Sequence, residues 1–371
     1  MNESASADTR NMLVSIVAGP SGGALLEHLG ALKEKRRLLL PAGAITAEGD
    51  NALAQINAIA ERGDVDHLVI ECDSQMPAMA YASLFVSAPL IETTRLTKTV
   101  LAIRPSDLLD SLVRRVRDTE LGSPCFLVEQ LEFVNNIVLD AGKGDPDLKL
   151  ARAIAITLNP HAQVAELSSE TLKQLFTNLE PISFDFTAAF EGAGWRQLID
   201  TETLPHDRDN AITSFAYRAR RPFHPERFLA LLQSGLAGIF RAKGFFWLAT
   251  RMEHVGGLNL AGSELHCAGA GQWWAARDEQ ARQHEMPERT RKEWQEPFGD
   301  RRQAIAFMGL NLAPDVFKAH LDACLLTGAE MAAGQEGWST LADPFPSWSV
   351  HVHTHECGHN HESDDHECCH H

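Results

Sequence analysis

From Met12 to about Asn178 the chain alternates short β-branched runs with stretches whose apolar residues recur every three or four positions, and few architectures accept that alternation. Parallel strands need a long crossover between them, and an amphipathic helix is the usual one. The pattern therefore predicts an α/β domain with a parallel sheet covered on both faces. Strands are expected at Leu13–Ala18, Arg37–Leu40, His67–Cys72, Lys98–Ile103, Ile137–Leu139 and Gln163–Leu167. Helices are expected at Leu25–Lys35, Asn51–Arg62, Met79–Phe85, Ser106–Arg117 and Asp147–Asn159.

A polar run around Asp200 to Asn210 marks a boundary. Beyond it, strands at Ile212–Tyr217, Gly244–Thr250, Gly257–Ala261, Glu264–Ala268, Gln272–Ala276 and Gln303–Gly309 combine with helices at His224–Gln233 and Ala313–Leu325. That order suits a smaller α+β unit with helices on one face of a mixed or antiparallel sheet. The expected division is a first domain over 12–195, a linker over 196–210, a second domain over 211–348 and a tail over 349–371.

The tail carries the densest chemistry. Its last twenty-one residues hold eight histidines, three cysteines and five carboxylates with no Lys or Arg. His351, His353 and His355 alternate, so an extended backbone sends all three imidazoles to one side. His359 and His361 repeat the device, and Cys357, His366, Cys368, Cys369, His370 and His371 complete the ligand set. Imidazole with thiolate selects zinc first, with nickel or cobalt as competitors, because hard cations prefer oxygen shells. A tract without apolar periodicity is expected to stay disordered until metal arrives, and so to bind more weakly than a preformed site.

The remaining composition excludes other classes. A net charge of −17 argues against a nucleic-acid partner. No apolar run approaches a membrane span, and Met12–Ala18 is too short for a secretory core, so a cytoplasmic protein is expected. Cys72, Cys125, Cys267 and Cys324 stand singly in apolar surroundings and read as buried thiols. His266 could bind metal only with distant partners, and it reads, with Cys267, as structural.

The runs Phe215–Phe228, Arg241–Thr250, Gln272–Trp274 and Phe298–Gln303 resemble the C-terminal domain of the CobW-type P-loop GTPases, a family of metal-handling proteins. Asp66–Glu71 and Leu158–Ala162 stand where that family has comparable segments in its GTPase domain. The resemblance implies a P-loop-NTPase-like first domain, a CobW C-terminal-like second domain, GTP with Mg(II), and zinc delivery to a recipient metalloprotein.

The residues of the nucleotide site depart from that pattern. A P-loop needs glycines for close backbone approach, a Lys for the β- and γ-phosphates and a Ser or Thr for Mg(II). Here Gly19-Pro-Ser-Gly-Gly follows the first strand, and no Lys comes before Lys33. The family's guanine-reading motif is replaced by Asp140-Ala-Gly-Lys143, its Glu-x-x-Gly by Glu71-Cys-Asp-Ser74, and its thiolate trio by Ala44, Thr46 and Ala47. Gly19, Gly22, Gly23 and Glu71 remain as a degenerate cofactor-binding set, with a plain strand-to-helix turn as the alternative. The expectation is a zinc-binding accessory protein without GTPase activity. The alternatives are a GTP-hydrolysing metallochaperone with a non-standard pocket and a regulatory subunit paired with an intact relative.

Overall fold

A computed structural model of the chain describes residues 11–45, 49–116, 122–177, 182–204 and 212–348. The tail over 349–371, with every metal ligand assigned to it above, lies outside the described residues. So do Thr46 and Ala47.

The first sheet contains β1 (Met12–Ala18), β2 (Arg37–Leu40), β3 (His67–Glu71), β4 (Thr94–Ile103), β5 (Asn136–Leu139) and β6 (Gln163–Glu166). Their order is β2-β3-β1-β4-β5-β6, and every pairing is parallel. The apolar strands are continuous because both faces are covered. Alternate residues feed opposite cores: Val17, Val69, Val100 and Val138 meet Leu25, Leu29, Leu172 and Phe176 of the helices Gly22–Ala31 and Ser169–Phe176. Val14, Ile16, Leu68, Leu101 and Ile137 fill the other core, beneath the helices Gly49–Arg62, Pro105–Leu112 and Leu148–Leu158.

β4 begins four residues before the position expected from Lys98, because Thr94 and Thr97 are buried without being left unpaired. Their hydroxyls donate to the carbonyls of Leu90 at 2.6 Å and Val14 at 3.0 Å. A register shift between Val14 and Ser15 absorbs the irregularity.

The second sheet contains β7 (Ile212–Ala219), β8 (Ile239–Phe246), β9 (His254–Ala261), β10 (Glu264–Gln272) and β11 (Gln303–Leu310). It is antiparallel throughout, in the order β10-β9-β8-β11-β7. One face carries Phe215, Phe246, Leu258 and Phe307 under the helices Pro225–Gln233 and Pro314–Cys324. The other face joins the first domain's core through Phe240, Ala304, Ala306 and Met308. Two expected strands are corrected. β8 spans 239–246 rather than 244–250, because Gly244 is mid-strand, where a Cβ would fall 2.2 Å from the Ala304 carbonyl oxygen. Trp274–Ala276 is a 3-10 turn whose amides at Trp274 and Ala275 donate to Asp300. The residues expected to open a linker form the helix Gly194–Thr201, with Leu198 and Ile199 buried.

His67 makes the first domain sensitive to acid. Its ring is 7% exposed, lies 2.9 Å from the Ser15 hydroxyl and stacks on Phe176. Burial, reinforced by the nearby Arg37 charge, lowers its pKa to about 3. The unfolded chain takes up this proton near 6.5 and the folded chain only near 3, so His67 favours the fold above that window and opposes it as pH falls through it. The slope approaches about 1.4 kcal/mol per pH unit. Thermal unfolding in chelator at pH 7 and pH 5 should show a smaller loss for His67→Gln than for the native chain. Equal losses would remove His67 as the cause.

Candidate functional site

The carboxyl ends of β1, β3 and β4 open onto a cleft of about 650 Å³ lined by Gly19, Glu71, Asp73, Arg104, Asp107 and residues of the helix Pro124–Phe133. Open parallel sheets bind their ligands at such ends. Gly19 and Glu71 both line the cleft, Gly22 opens the first helix and Gly23 follows it on the exposed side. All four degenerate cofactor-set residues therefore gather at one strand end.

The turn between them is closed. A P-loop places four residues between its glycines; here Gly22 follows Gly19 after two residues and Gly23 after three, and the helix already begins at Gly22. The Ser21 amide donates to the Ala102 carbonyl at 3.1 Å and the Gly22 amide to the Gly19 carbonyl at 3.0 Å. Gly19 has φ +94°, and a Cβ there would meet the Ala102 carbonyl oxygen at 2.5 Å. Glu71 reaches across the helix start: a Cβ on Gly22 would lie 2.9 Å from its Oε1, while its Oε2 accepts the Ala42 amide at 3.1 Å. A carboxylate thus lies beside the helix N-terminus, where anions are otherwise favoured.

The walls are acidic. Arg104 pairs with Asp107 at 2.8 Å, and Arg114 pairs with Asp110 and Asp147. Glu71 and Asp73 instead accept backbone amides, from Ala42 and Gln75. Ile45, from the stretch where the family's thiolates would stand, is buried, and its carbonyl accepts the Tyr81 hydroxyl. The basic residues of the second domain are engaged as well: Arg220 with Glu293, Arg227 with Glu330, and Arg221 with the Leu326 carbonyl.

One cluster was not foreseen from the sequence. The helix Pro124–Phe133 packs against β9, and its start bonds Glu264 at the head of β10, bringing Cys125, Glu264 and His266 together with ligand atoms all within 4.8 Å of one another. Ser123 caps that helix, accepting the Phe126 amide, and its hydroxyl donates to Glu264 Oε2. The Cys125 amide donates to the same oxygen at 3.0 Å, and His266 Nε2 lies 2.6 Å from Oε1. Burial works to raise the Glu264 pKa, yet these partners together hold it below the usual carboxylate range. Burial, with the Glu264 charge, pushes the Cys125 thiol up to about 12. His266, expected to be structural, is thus paired with Glu264 beside the Cys125 thiol. Cys267, on the opposite face of β10, packs against the aromatic core.

Residues 212–325 match the model of the cobalamin synthesis protein cobW C-terminal domain. The chain is 30% identical over 323 residues to the zinc-regulated GTPase metalloprotein activator 1 of Dictyostelium discoideum, covering 80% of this chain and 67% of that protein. It is 38% identical over 148 residues to a zinc chaperone of Mycobacterium tuberculosis, covering 39% of this chain and 36% of that protein. The crystal structure of Zn(II)-bound YjiA GTPase from E. coli is similar over 85% of this chain and 99% of its own, with TM-score 0.34 and 12% identity, a likeness too loose to carry weight. On the domain match and the long alignment to the Dictyostelium protein, the chain belongs to the CobW-type family.

Proposed function

We propose that this chain is a zinc-handling accessory protein that buffers or delivers the ion through its C-terminal tail, and that its first domain does not use GTP. The carrying observation is the density of eleven imidazole and thiol ligands between His351 and His371. Relatives named as a zinc chaperone and a zinc-regulated metalloprotein activator support zinc as the cargo over nickel or cobalt, and a metalloprotein as recipient. The absent phosphate Lys, the tight glycine turn and its internally bonded amides support the loss of nucleotide binding.

Among the described residues no helix is long and apolar enough to cross a membrane. Four cysteines there, Cys72, Cys125, Cys267 and Cys324, are free thiols, which favours a reducing cytoplasm as the working compartment.

Equilibrium dialysis against zinc tests this reading, comparing the full chain with one ending at Trp348. The full chain should take up at least two ions more than the shortened one. That surplus should fall as pH drops through about 6.5, where imidazoles protonate and stop coordinating. Equal uptake by the two chains would take the tail out of the function.

A further inference from the structure

We propose that Cys125, Glu264 and His266 form a second metal site, for a borderline divalent cation of the zinc class, at the junction of the two domains. It uses residues of the folded body alone and does not depend on the tail.

The donor set is the first argument. A thiolate, an imidazole and a carboxylate form a mixed set suited to zinc or cobalt rather than to magnesium or calcium. Three protein ligands leave the fourth tetrahedral position open to water or another ligand. Metal–ligand bonds of about 2.0–2.3 Å put ligand atoms on one tetrahedral ion roughly 3.5 Å apart. The three atoms here already lie within 4.8 Å of one another, so about an ångström of side-chain movement closes the set.

Support around the ligands is the second argument. The Ser123 hydroxyl and the Cys125 amide both donate to Glu264 Oε2, which fixes the carboxylate and leaves Oε1 toward His266. Partners of this kind orient ligands in built metal sites. On binding, the ion occupies the place between Nε2 and Oε1, the neutral imidazole carries its one proton on Nδ1, and the Cys125 thiol proton, with any second ring proton, passes to solvent. Charge is then favourable: the Glu264 carboxylate, which opposes a bare thiolate beside it, becomes a co-ligand.

Access is the third. The His266 side chain is 58% exposed on β10, the edge strand of its sheet, while Cys125 is buried beneath it. An ion can enter from solvent and keep a fourth position open. Trp348 packs on Gly269 of the same strand, on the face that carries Cys267 and opposite to His266. The site also lies at the start of the helix whose Phe126, Leu127 and Gln130 line the strand-end cleft, so occupancy tightens the contact between the domains beside that cleft.

Cobalt(II) titration tests the site in the full-length chain carrying Cys357→Ser, Cys368→Ser and Cys369→Ser, so that any thiolate-to-cobalt absorption comes from the body. One equivalent of cobalt should produce that absorption. Adding Cys125→Ser should abolish it. Adding His266→Ala, an exposed change that spares the fold, should weaken affinity by more than the roughly 10–100-fold that loss of a supporting partner costs. Cys267→Ser should leave the titration unchanged. Zinc should raise the melting temperature of the tail-cysteine-free chain, and His266→Ala should remove that rise. Absence of a thiolate band, or a band that survives both Cys125→Ser and His266→Ala, overturns the proposal while leaving the tail reading intact.

Discussion

Arg241→Ala is expected to destabilise the protein by about 3–5 kcal/mol, the cost of breaking a buried ion pair by removing one partner. Arg241 is fully buried in β8, the central strand of its sheet, and Glu132, with 6% side-chain exposure, reaches it from the first domain. The fork is bidentate, Nε to Oε1 at 2.8 Å and Nη2 to Oε2 at 2.9 Å. Nη1 donates to Asn259 Oδ1 and the Leu260 carbonyl. Truncation leaves the Glu132 charge in a dry interface with only Lys243, 3.8 Å away and partly exposed, near it. A loss of this size lowers the melting temperature by on the order of 5–10 °C.

Glu132→Ala should cost a similar amount, since it strands the guanidinium instead. The double variant Arg241→Met with Glu132→Leu should recover most of the loss, because replacing both charges by apolar groups removes the desolvation penalty along with the attraction. Additive losses in the double variant, read by denaturant unfolding, would mean that the two residues do not act as a pair.

The same interface separates what can be read from sequence from what cannot. Apolar strands such as β1 and β3 are legible because burial on both faces leaves a continuous run that few other structures tolerate. The helix Pro124–Phe133 is hard to find because it is sandwiched between the domains. Cys125, Leu127, Val128, Gln130, Leu131, Glu132 and Phe133 are all buried, and no polar stripe remains to show a helical period. Gly244 looks like punctuation between elements, but it is the point where two strand backbones approach too closely for a side chain.

Chemistry follows the same rule of distance. The tail is readable because its ligands are contiguous. The Cys125–Glu264 contact joins residues 139 apart, and nothing local to either hints at the other. His266 alone offered a signal, as an exposed imidazole on a strand face, and that signal required a partner only the folded chain supplies. The degenerate glycine turn was legible in its missing Lys, but the use of its amides by Gly19 and Ala102 depends on where β4 ends.

Mg-GTP should show no saturable binding to this chain below about millimolar concentration, and putting back the absent side chains should not restore it. Three losses act together. The phosphate Lys is gone, Lys33 standing beyond the far end of the helix that begins at Gly22, about 15 Å from the turn by helical rise. Asp73 adds a carboxylate to the cleft that Gly19 lines, beyond the Glu that the family's own motif already carries at position 71. At roughly 6 Å and an effective dielectric of about 20, the Asp73 carboxylate opposes each phosphate charge by about 2–3 kcal/mol, and the missing Lys forgoes an attraction of the same size. The turn runs into its helix at Gly22, and its Ser21 and Gly22 amides already have carbonyl partners. The first two losses alone exceed 4 kcal/mol, or about a thousandfold in affinity.

Gly23→Lys with Ala24→Thr supplies the missing cation and hydroxyl at the helix start. A Cβ on Gly23 would lie 3.5 Å from Glu71 Oε1, so the new ammonium pairs with that carboxylate rather than waiting for a phosphate. Titration of the native chain and this variant with a fluorescent GTP analogue, with and without Mg(II), distinguishes the cases. Flat titrations for both mean that loop geometry and acidic walls, beyond the loss of a lysine, disable the pocket. Micromolar saturation of the native chain with Mg(II)-dependent phosphate release would return it to the working GTPases. Recovery in the variant alone would reduce the defect to two side chains.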